Sequence, residues 1–217
     1  MQHIAVIGIS SFGYYMCKYL SDTGAHVLAI DINETKVESV KAFVDRAIIA
    51  DATQKDTLAR FELHEFDQTI ISVGEHIDTG ILITLYLKEL GVKDITVKAF
   101  TEDHVKILHL VGASNVIFPE KDSAERLAYT FQHKNLLEYF PISDDYGVIE
   151  ITVPKAWLGK TLIQLDVRRK YNVQIVLIKE ILPNNTVSIP RGDQLLKDSD
   201  TLVILGQHKS LEKIQNL

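Results

Sequence analysis

Cysteine is almost absent from this sequence. The 217 residues contain one, Cys17, so no intrachain disulfide can form. A zinc site built from cysteines is excluded for the same reason, because such sites need several thiolate ligands. A chain without disulfides fits the reducing interior of a cell. This composition favours a cytoplasmic protein.

Long apolar runs and an excess of positive charge are also lacking. No stretch approaches the roughly 20 apolar residues that span a bilayer, and the first residues do not resemble a signal peptide. The net charge of −6 and the pI of about 5.7 argue against nucleic-acid binding, which is usually the work of a basic face. The basic cluster Arg168-Arg169-Lys170 is interpreted as a solvated face. Any part in membrane transport is therefore expected from outside the membrane.

The sequence also lacks recognisable catalytic motifs. The sequence has no nucleophile elbow, no Walker A loop and no metal-ligand pair at helical spacing. His104 and His109 are five residues apart, which places them on different faces of a helix. Residues 138–217 offer no obvious acid–base group for a hydride-transfer enzyme. We predict that the protein is not an enzyme, and an NAD-dependent oxidoreductase is the alternative.

What the sequence does contain is a regular alternation over residues 1–118. Short apolar runs predict strands, and the amphipathic segments between them predict helices. The predicted strands are 4–7, 26–30, 47–49, 69–73, 95–97 and 116–118, and the predicted helices are 12–23, 33–43, a short one capped by Asp51 or Thr53, 77–90 and 104–111. This order is typical of a doubly wound, Rossmann-like parallel sheet.

Pro119 ends the alternation. A predicted amphipathic helix over about 121–133, with Ala124, Leu127, Ala128 and Phe131 on one face, lies within a connecting segment, 119–137. Beyond it, alternating runs at 147–153, 173–179 and 200–205 are separated by turn residues. We therefore predict a second, small α+β domain over 138–217.

The first predicted turn reads Gly8-Ile9-Ser10-Ser11-Phe12-Gly13, between a strand and a helix. It has the first and third glycines of the dinucleotide fingerprint, with Ser10 in place of the second. Asp31 closes the next strand, eighteen residues after Gly13, where a carboxylate binds an unphosphorylated ribose. This register favours nucleotide binding. The alternative is that the glycines serve only the turn and that Asp31 begins a helix-capping turn with Asn33.

Other polar residues follow later strands. Asp51 and Ala52 lie on the edge where an adenine would bind, although Asp51 could equally cap a helix. Lys98 and Glu120 follow the fifth and sixth strands, at the carboxyl edge where open α/β sheets bind ligands. Lys98 could meet a phosphate and Glu120 a divalent cation, or both could be ordinary surface charges. Ile32 and the segment Ser72-Val73-Gly74 complete the predicted nucleotide site.

Taken in order, these segments resemble a known family. They are Ala5-Val6-Ile7-Gly8 with Phe12-Gly13, Val27 to Asn33, Ala50 to Thr53, Leu87 to Gly91, Val97-Lys98-Ala99, Gly112-Ala113, Phe118 to Asp122, Leu162 to Arg168 and Asp200 to Gly206. The chain is similar to the RCK (KTN and TrkA-C) regulators of potassium conductance, close to the peripheral subunits of Ktr- and Trk-type uptake systems. Each motif alone is weak, but their order across two domains is specific.

The resemblance implies a regulatory, gating subunit of a potassium uptake system. Such a subunit is cytoplasmic, lies at the inner face of the membrane, forms dimers that assemble into a ring, and contacts a membrane potassium-translocating subunit. It implies an adenine nucleotide (ATP or ADP, or NAD/NADH) at the glycine loop. Gly8 and Gly13 would hold the phosphates, Asp31 the ribose, and Asp51 with Ala52 the adenine. Glu120 would lie near the phosphates, with Mg or Ca beside it.

Two features leave the ligand open. Ser10 and Ser11 stand where the family usually has glycine and arginine, so the preferred nucleotide is undecided and a scaffold that binds none is an alternative. Some relatives bind cyclic di-AMP in the C-terminal domain. Counterparts of that second site here are Ile163, Asp166, Arg168, Asn172 and Pro190. The alternative is that Ile163 is a core residue and Arg168 a surface residue.

Overall fold

A computed structural model describes residues 1–182 and 185–217 of the protein. The chain divides into two units, Met1–Glu120 and Lys121–Leu217, which are described separately. Within the described residues, no helix combines the length and the apolar character needed to cross a membrane.

The first unit is built on a parallel sheet. Its strands are β1 (His3–Ile7), β2 (His26–Asp31), β3 (Arg46–Ile49), β4 (Gln68–Ile71), β5 (Ile95–Lys98) and β6 (Asn115–Ile117). They lie in the order β3-β2-β1-β4-β5-β6, with every neighbouring pair parallel. The direction of strand order reverses between β1 and β4, the arrangement that opens a ligand crevice in doubly wound folds. The predicted Rossmann-like sheet is confirmed.

Helices cover both faces of this sheet. They are α1 (Ser11–Asp22), α2 (Glu34–Val40), α3 (Lys55–Ala59), α4 (Ile77–Glu89) and α5 (Glu102–Val111), with a 3₁₀ turn at Leu63–Glu65. Alternate residues of β1 enter opposite cores, since Ile7 packs in the cluster with α4 and α5 while Val6 packs in the one with α1 and α2. This two-sided burial explains why the strands are nearly continuous apolar runs.

Two local expectations differ from the structure. Asn33 caps α2, accepting a hydrogen bond from the Lys36 amide at 3.1 Å, but the helix ends at Val40 because a three-residue turn follows it. The prediction that Asp51 or Thr53 caps the next helix is wrong. The N-cap of α3 is Gln54, which makes no side-chain cap bond. The Asp51 carboxylate instead accepts a hydrogen bond from the Thr53 amide at 2.9 Å, which closes a local turn.

The second unit is α+β, as predicted. It begins within α6 (Pro119–Gln132) and contains β7 (Leu136–Pro141), β8 (Tyr146–Thr152), a 3₁₀ turn at Lys155–Trp157, α7 (Leu162–Leu165), α8 (Val167–Tyr171), β9 (Val173–Glu180), β10 (Thr186–Ser188), β11 (Asp200–Gln207) and α9 (His208–Gln215). The strands form an antiparallel sheet in the order β10-β9-β11-β8-β7. Ile149, Ile204 and Trp157 are central to its core.

Helix α6 carries the apolar face that the sequence predicts, and that face is uncovered. None of its residues is buried. Leu127 is 51% exposed and Phe131 is 82% exposed. Large apolar side chains left in water on one helix face are typical of a surface that packs against another molecule.

Candidate functional site

The glycine loop lies tightly against the end of β4. Gly8 has φ +89°, a conformation that side chains disfavour, and a Cβ there would overlap the backbone carbonyl of Ser72. A Cβ at Gly13 would overlap the carbonyl oxygen of Gly8. Both positions therefore require glycine for steric reasons.

Asp31 is fixed at the end of β2, beside this loop, and is 8% exposed. Its Oδ2 accepts a hydrogen bond from the Ile9 amide at 2.6 Å, and its Oδ1 accepts one from the Asn33 amide at 2.8 Å. The ammonium group of Lys36 lies 3.8 Å from Oδ2. A carboxylate oxygen can accept two hydrogen bonds, so each oxygen keeps capacity for a further donor such as a ribose hydroxyl.

Ser10 forms the N-cap of α1. Its hydroxyl oxygen accepts a hydrogen bond from the Gly13 amide at 3.3 Å. The same oxygen lies 2.6 Å from the hydroxyl oxygen of Ser72, which is 1% exposed. Ser11 is the exposed first residue of the helix. The hydroxyl at the position of the second fingerprint glycine is therefore part of a hydrogen-bonded pair.

A cleft of about 450 Å³ opens at the carboxyl edge of the sheet. Of the predicted site residues it brings together Gly8, Asp31, Ile32, Asp51, Ala52 and Val73. Sequence reasoning did not assign Lys36, His76 and Thr79, which also line it. The sequence could have indicated them only through their positions, because Lys36 is in the first turn of α2 and the other two are at the start of α4.

Asp51 and Ala52 form one wall of this cleft. The Oδ1 atom of Asp51 accepts from the Thr53 amide at 2.9 Å and from the Thr53 hydroxyl at 2.6 Å, while Gln54 Nε2 donates to Oδ2 at 3.3 Å. The hydrogen bond from the Thr53 hydroxyl contributes most to keeping the pKa of the Asp51 carboxyl below its ordinary value. The turn is therefore rigid and carries a carboxylate beside the small Ala52 side chain.

Lys98 and Glu120 do not line the cleft but pair with each other at the same edge of the sheet. Lys98 is 9% exposed, so it is a buried cation and not a surface charge. Its ammonium lies 4.8 Å from the ring centroid of Phe100 and 5.9 Å from that of Phe12. Burial is the largest single influence on Glu120 and raises its pKa, but the hydrogen bond and the charge of Lys98, together with a backbone hydrogen bond, outweigh it and the pKa is lowered. The pair joins the end of β5 to the start of α6.

The side chains of this chain do not by themselves fit a metal ion at Glu120. Among the described residues, no group of three or more histidine, cysteine, aspartate or glutamate side chains could hold a metal. The Glu120 carboxylate is already engaged by Lys98. The predicted Mg or Ca would need ligands beyond those that the described residues supply.

The predicted second site lies in the other unit. Ile163 is 71% exposed, so the alternative that it is a core residue is wrong. Its amide donates to the Gly192 carbonyl at 2.9 Å, which brings it to the loop that contains Pro190. Arg168 donates through Nε to Gln174 at 2.9 Å, and Asp166 pairs with Arg169 at 2.9 Å. Asp166 and Asn172, which flank α8, both have positive φ.

Comparison with known proteins gives a consistent result. Residues 4–119 match the TrkA-N domain family and residues 148–217 match the TrkA-C domain family. The chain is 36% identical over 214 residues to the Ktr system potassium uptake protein C of Bacillus subtilis strain 168. That alignment covers 99% of this chain and 96% of the relative.

Solved structures show the same fold. The RCK domain of GsuK superposes with a TM-score of 0.70 at 17% identity, over all of this chain and 47% of that one. The GsuK channel bound to NAD superposes with a TM-score of 0.55 at 22% identity, over all of this chain and 38% of that one. At these identities the likeness concerns the fold. This chain spans less than half the length of those two chains.

Proposed function

This chain belongs to the family of potassium uptake proteins that combine a TrkA-N domain with a TrkA-C domain, and from this premise we propose that it is a regulatory subunit controlled by an adenine nucleotide. The observation that carries the proposal is the cleft that unites Gly8, the fixed Asp31 and the Asp51–Ala52 turn at the carboxyl edge of the sheet. Ligands of doubly wound folds bind in this crevice.

Different residues around the cleft bind different parts of the nucleotide. The ribose hydroxyls donate to the free lone pairs of Asp31, because both carboxylate oxygens are already oriented by backbone amides. The adenine lies against Ala52, beside the Asp51 turn. The phosphates approach Gly8, Gly13 and the amides that open α1. An aspartate at the ribose disfavours a 2′-phosphate, so the ligand class is ATP, ADP or NAD/NADH.

Control requires that the nucleotide binds one arrangement of the subunit better than another. The Ile9–Asp31 hydrogen bond joins the glycine loop to the ribose side of the cleft. The Lys98–Glu120 pair joins the same edge of the sheet to the start of α6. A phosphate that attracts Lys98 would compete with Glu120 for its ammonium. The nucleotide thereby biases the position of α6.

The partners follow from the family premise. We propose that the chain assembles with copies of itself and acts on a separate, membrane-embedded potassium-translocating subunit from the cytoplasmic face. The exposed apolar side chains of α6 supply a surface for the first of these contacts. No catalytic step is proposed. In the second unit, exposed Ile163 beside the Gly192 loop supports testing cyclic di-AMP as a second ligand.

The test is a calorimetric titration of the full chain with ATP, ADP, NAD, NADH and cyclic di-AMP. Asp31→Ala is expected to weaken binding of the preferred nucleotide by about 1–3 kcal/mol, because it strands polar partners. The matched control is Asp22→Ala, which removes an exposed carboxylate at the end of α1. Urea unfolding of both variants separates loss of the site from loss of the fold.

Other outcomes distinguish the alternatives. Equal affinity in the parent and in Asp31→Ala would remove Asp31 from the site. A folded oligomer that binds none of the five compounds would favour a scaffold. Nicotinamide-dependent turnover of a substrate would favour an oxidoreductase. Loss of cyclic di-AMP binding in Arg168→Ala, with nucleotide binding unchanged, would place the second ligand in the C-terminal unit.

A further inference from the structure

The Ser72 hydroxyl is buried beneath the glycine loop. Ser72 follows β4 directly and is 1% exposed. Its amide donates to the Ile7 carbonyl at 2.7 Å, and its backbone lies where a Cβ at Gly8 would be. Among the described residues, the hydrogen-bond partner of its hydroxyl is Ser10, at 2.6 Å. A buried hydroxyl that leaves this bond unmade would lose its only compensation for leaving water.

The two hydroxyls share one bond, so only one of them donates. If Ser10 donated, the proton of the enclosed Ser72 hydroxyl would have no acceptor. If Ser72 donates, the Ser10 oxygen accepts two hydrogen bonds, from Ser72 and from the Gly13 amide. That uses both lone pairs of the Ser10 oxygen. The Ser10 proton then remains for a partner outside the pair, and Ser10 is half-buried and can reach one. Burial therefore decides the direction of the bond.

The geometry points to Ser72 as a positioning residue that holds the Ser10 hydroxyl as a hydrogen-bond donor to a ligand phosphate. The inference rests on the proposed nucleotide site and names what recognises the phosphates there. In the dinucleotide fingerprint the second glycine lets backbone approach the diphosphate. Here a side-chain hydroxyl at the N-terminus of α1 serves instead, already fixed in place by two hydrogen bonds. A phosphate is the ligand group that suits this donor, since it is an anion that only accepts.

This arrangement predicts which part of the ligand each serine affects. Ser10 meets the phosphates and Ser72 acts only through Ser10. Ribose and adenine are held elsewhere, by Asp31 and the Asp51 turn. Removing either hydroxyl should therefore weaken the binding of ligands that carry phosphates and leave the affinity for adenosine unchanged. The effects of the two serines should also not add, because one acts through the other.

The experiment is titration of the full chain with ADP and with NAD, and measurement of adenosine binding by competition, in the parent and five variants. Ser10→Ala is expected to weaken ADP and NAD about tenfold, the usual scale for a hydrogen bond to a charged group. Ser72→Ala is expected to lower the affinity for ADP and NAD about threefold. The double variant should lower it no more than Ser10→Ala alone. Ser10→Thr keeps the hydroxyl and should bind as the parent does. Ser210→Ala, a buried serine of the second unit, is a control for the loss of a buried hydroxyl.

Contrary results are equally clear. A Ser72→Ala loss that is the same for adenosine as for ADP would make Ser72 merely structural and overturn the inference. Additive losses, or tighter ADP binding in Ser72→Ala, would also overturn it. If the parent binds none of ATP, ADP, NAD and NADH, the proposed function fails and the inference fails with it. If the parent binds ADP or NAD and neither serine variant changes that affinity, only the inference fails.

Discussion

At the scale of single residues, the site depends on positions where the backbone conformation and its close contacts require glycine. Gly8 combines φ +89° with direct contact against the Ser72 backbone. Gly24 has a similar angle, φ +85°, but nothing lies within 4 Å of the place where its Cβ would be. Substitutions at these two glycines therefore separate the free-energy cost of a positive φ from the cost of the steric overlap.

Gly8→Ala is expected to destabilise the protein clearly more than Gly24→Ala. The angle alone costs about 1–2 kcal/mol for a residue with a Cβ, and Gly24→Ala should lose about that much. Gly8→Ala should lose at least a further ~1–3 kcal/mol, because the overlap with a backbone carbonyl forces the loop or β4 to move. Urea unfolding of the two variants at constant pH measures the difference. Equal losses would show that the glycine loop has room at Gly8.

The residues of the site differ in how far sequence alone could place them. Gly8, Gly13 and Asp31 were predictable, because their spacing after predicted strands fixes which edge of the sheet they reach. The Ser10–Ser72 pair was not. Those residues are 62 positions apart, and only the register of β1 with β4 brings them together. The same holds for Lys98 and Glu120, whose burial and pairing depend on the packing of the edge.

At the scale of elements, the packing of α5 against α4 contains a buried imidazole. His104 is 2% exposed, and neither ring nitrogen has a hydrogen-bond partner in the described part of the chain. Its ring stacks on Phe100 at 6.3 Å, and Gly80 of α4 leaves the space beside it. Burial lowers the pKa of His104, because the charged form loses its hydration.

Acidification is expected to destabilise the first unit through this residue. The pKa of His104 is lower in the folded state than in the unfolded state, so the unfolded chain binds more protons as the pH falls. The stability is complete above the ordinary histidine pKa of about 6.5 and is lost as the pH falls through the folded value. His104→Leu should therefore flatten the dependence of the urea midpoint between pH 8 and pH 5.

The control for this measurement is on the same helix. His109 is exposed, so His109→Leu should keep the parent's dependence on pH. If His104→Leu and the parent lose stability in parallel on acidification, another group titrates and the role given to His104 is wrong.

Elements were predictable in proportion to their length and regularity. The strands of the first sheet are apolar runs bounded by turns, and most of its helices show the period of 3.6 residues. In the second unit α7 and α8 have four and five residues, too few to display a helical period. Strand β7, Leu-Leu-Glu-Tyr-Phe-Pro, does not alternate and was not predicted. Its place depends on pairing with β8, a contact that local sequence does not encode.

At the scale of the whole molecule, the exposed apolar side chains of α6 form the surface that we propose for contact between copies of the chain. Within its own unit, α6 packs through Tyr129, which is partly buried against the core and stacks on Tyr139 at 4.1 Å between ring centroids, and none of its residues is fully buried. Its apolar side chains, Leu127 and Phe131, remain in water. Burying an apolar side chain of this kind contributes about 1.5–3 kcal/mol, so pairing this face with a second copy of the chain would stabilise both copies.

Phe131→Glu is therefore expected to lower the oligomeric state of the full chain, because a carboxylate in the centre of an apolar contact would lose its hydration without gaining a partner. Light scattering after size exclusion, over a range of concentrations, measures the mass. Gln132→Glu is the matched control, since it adds the same charge at the next exposed position of the helix. Circular dichroism of both variants reports whether α6 remains folded. If Phe131→Glu keeps the parent's mass, as Gln132→Glu is expected to, self-association uses a surface other than this face of α6.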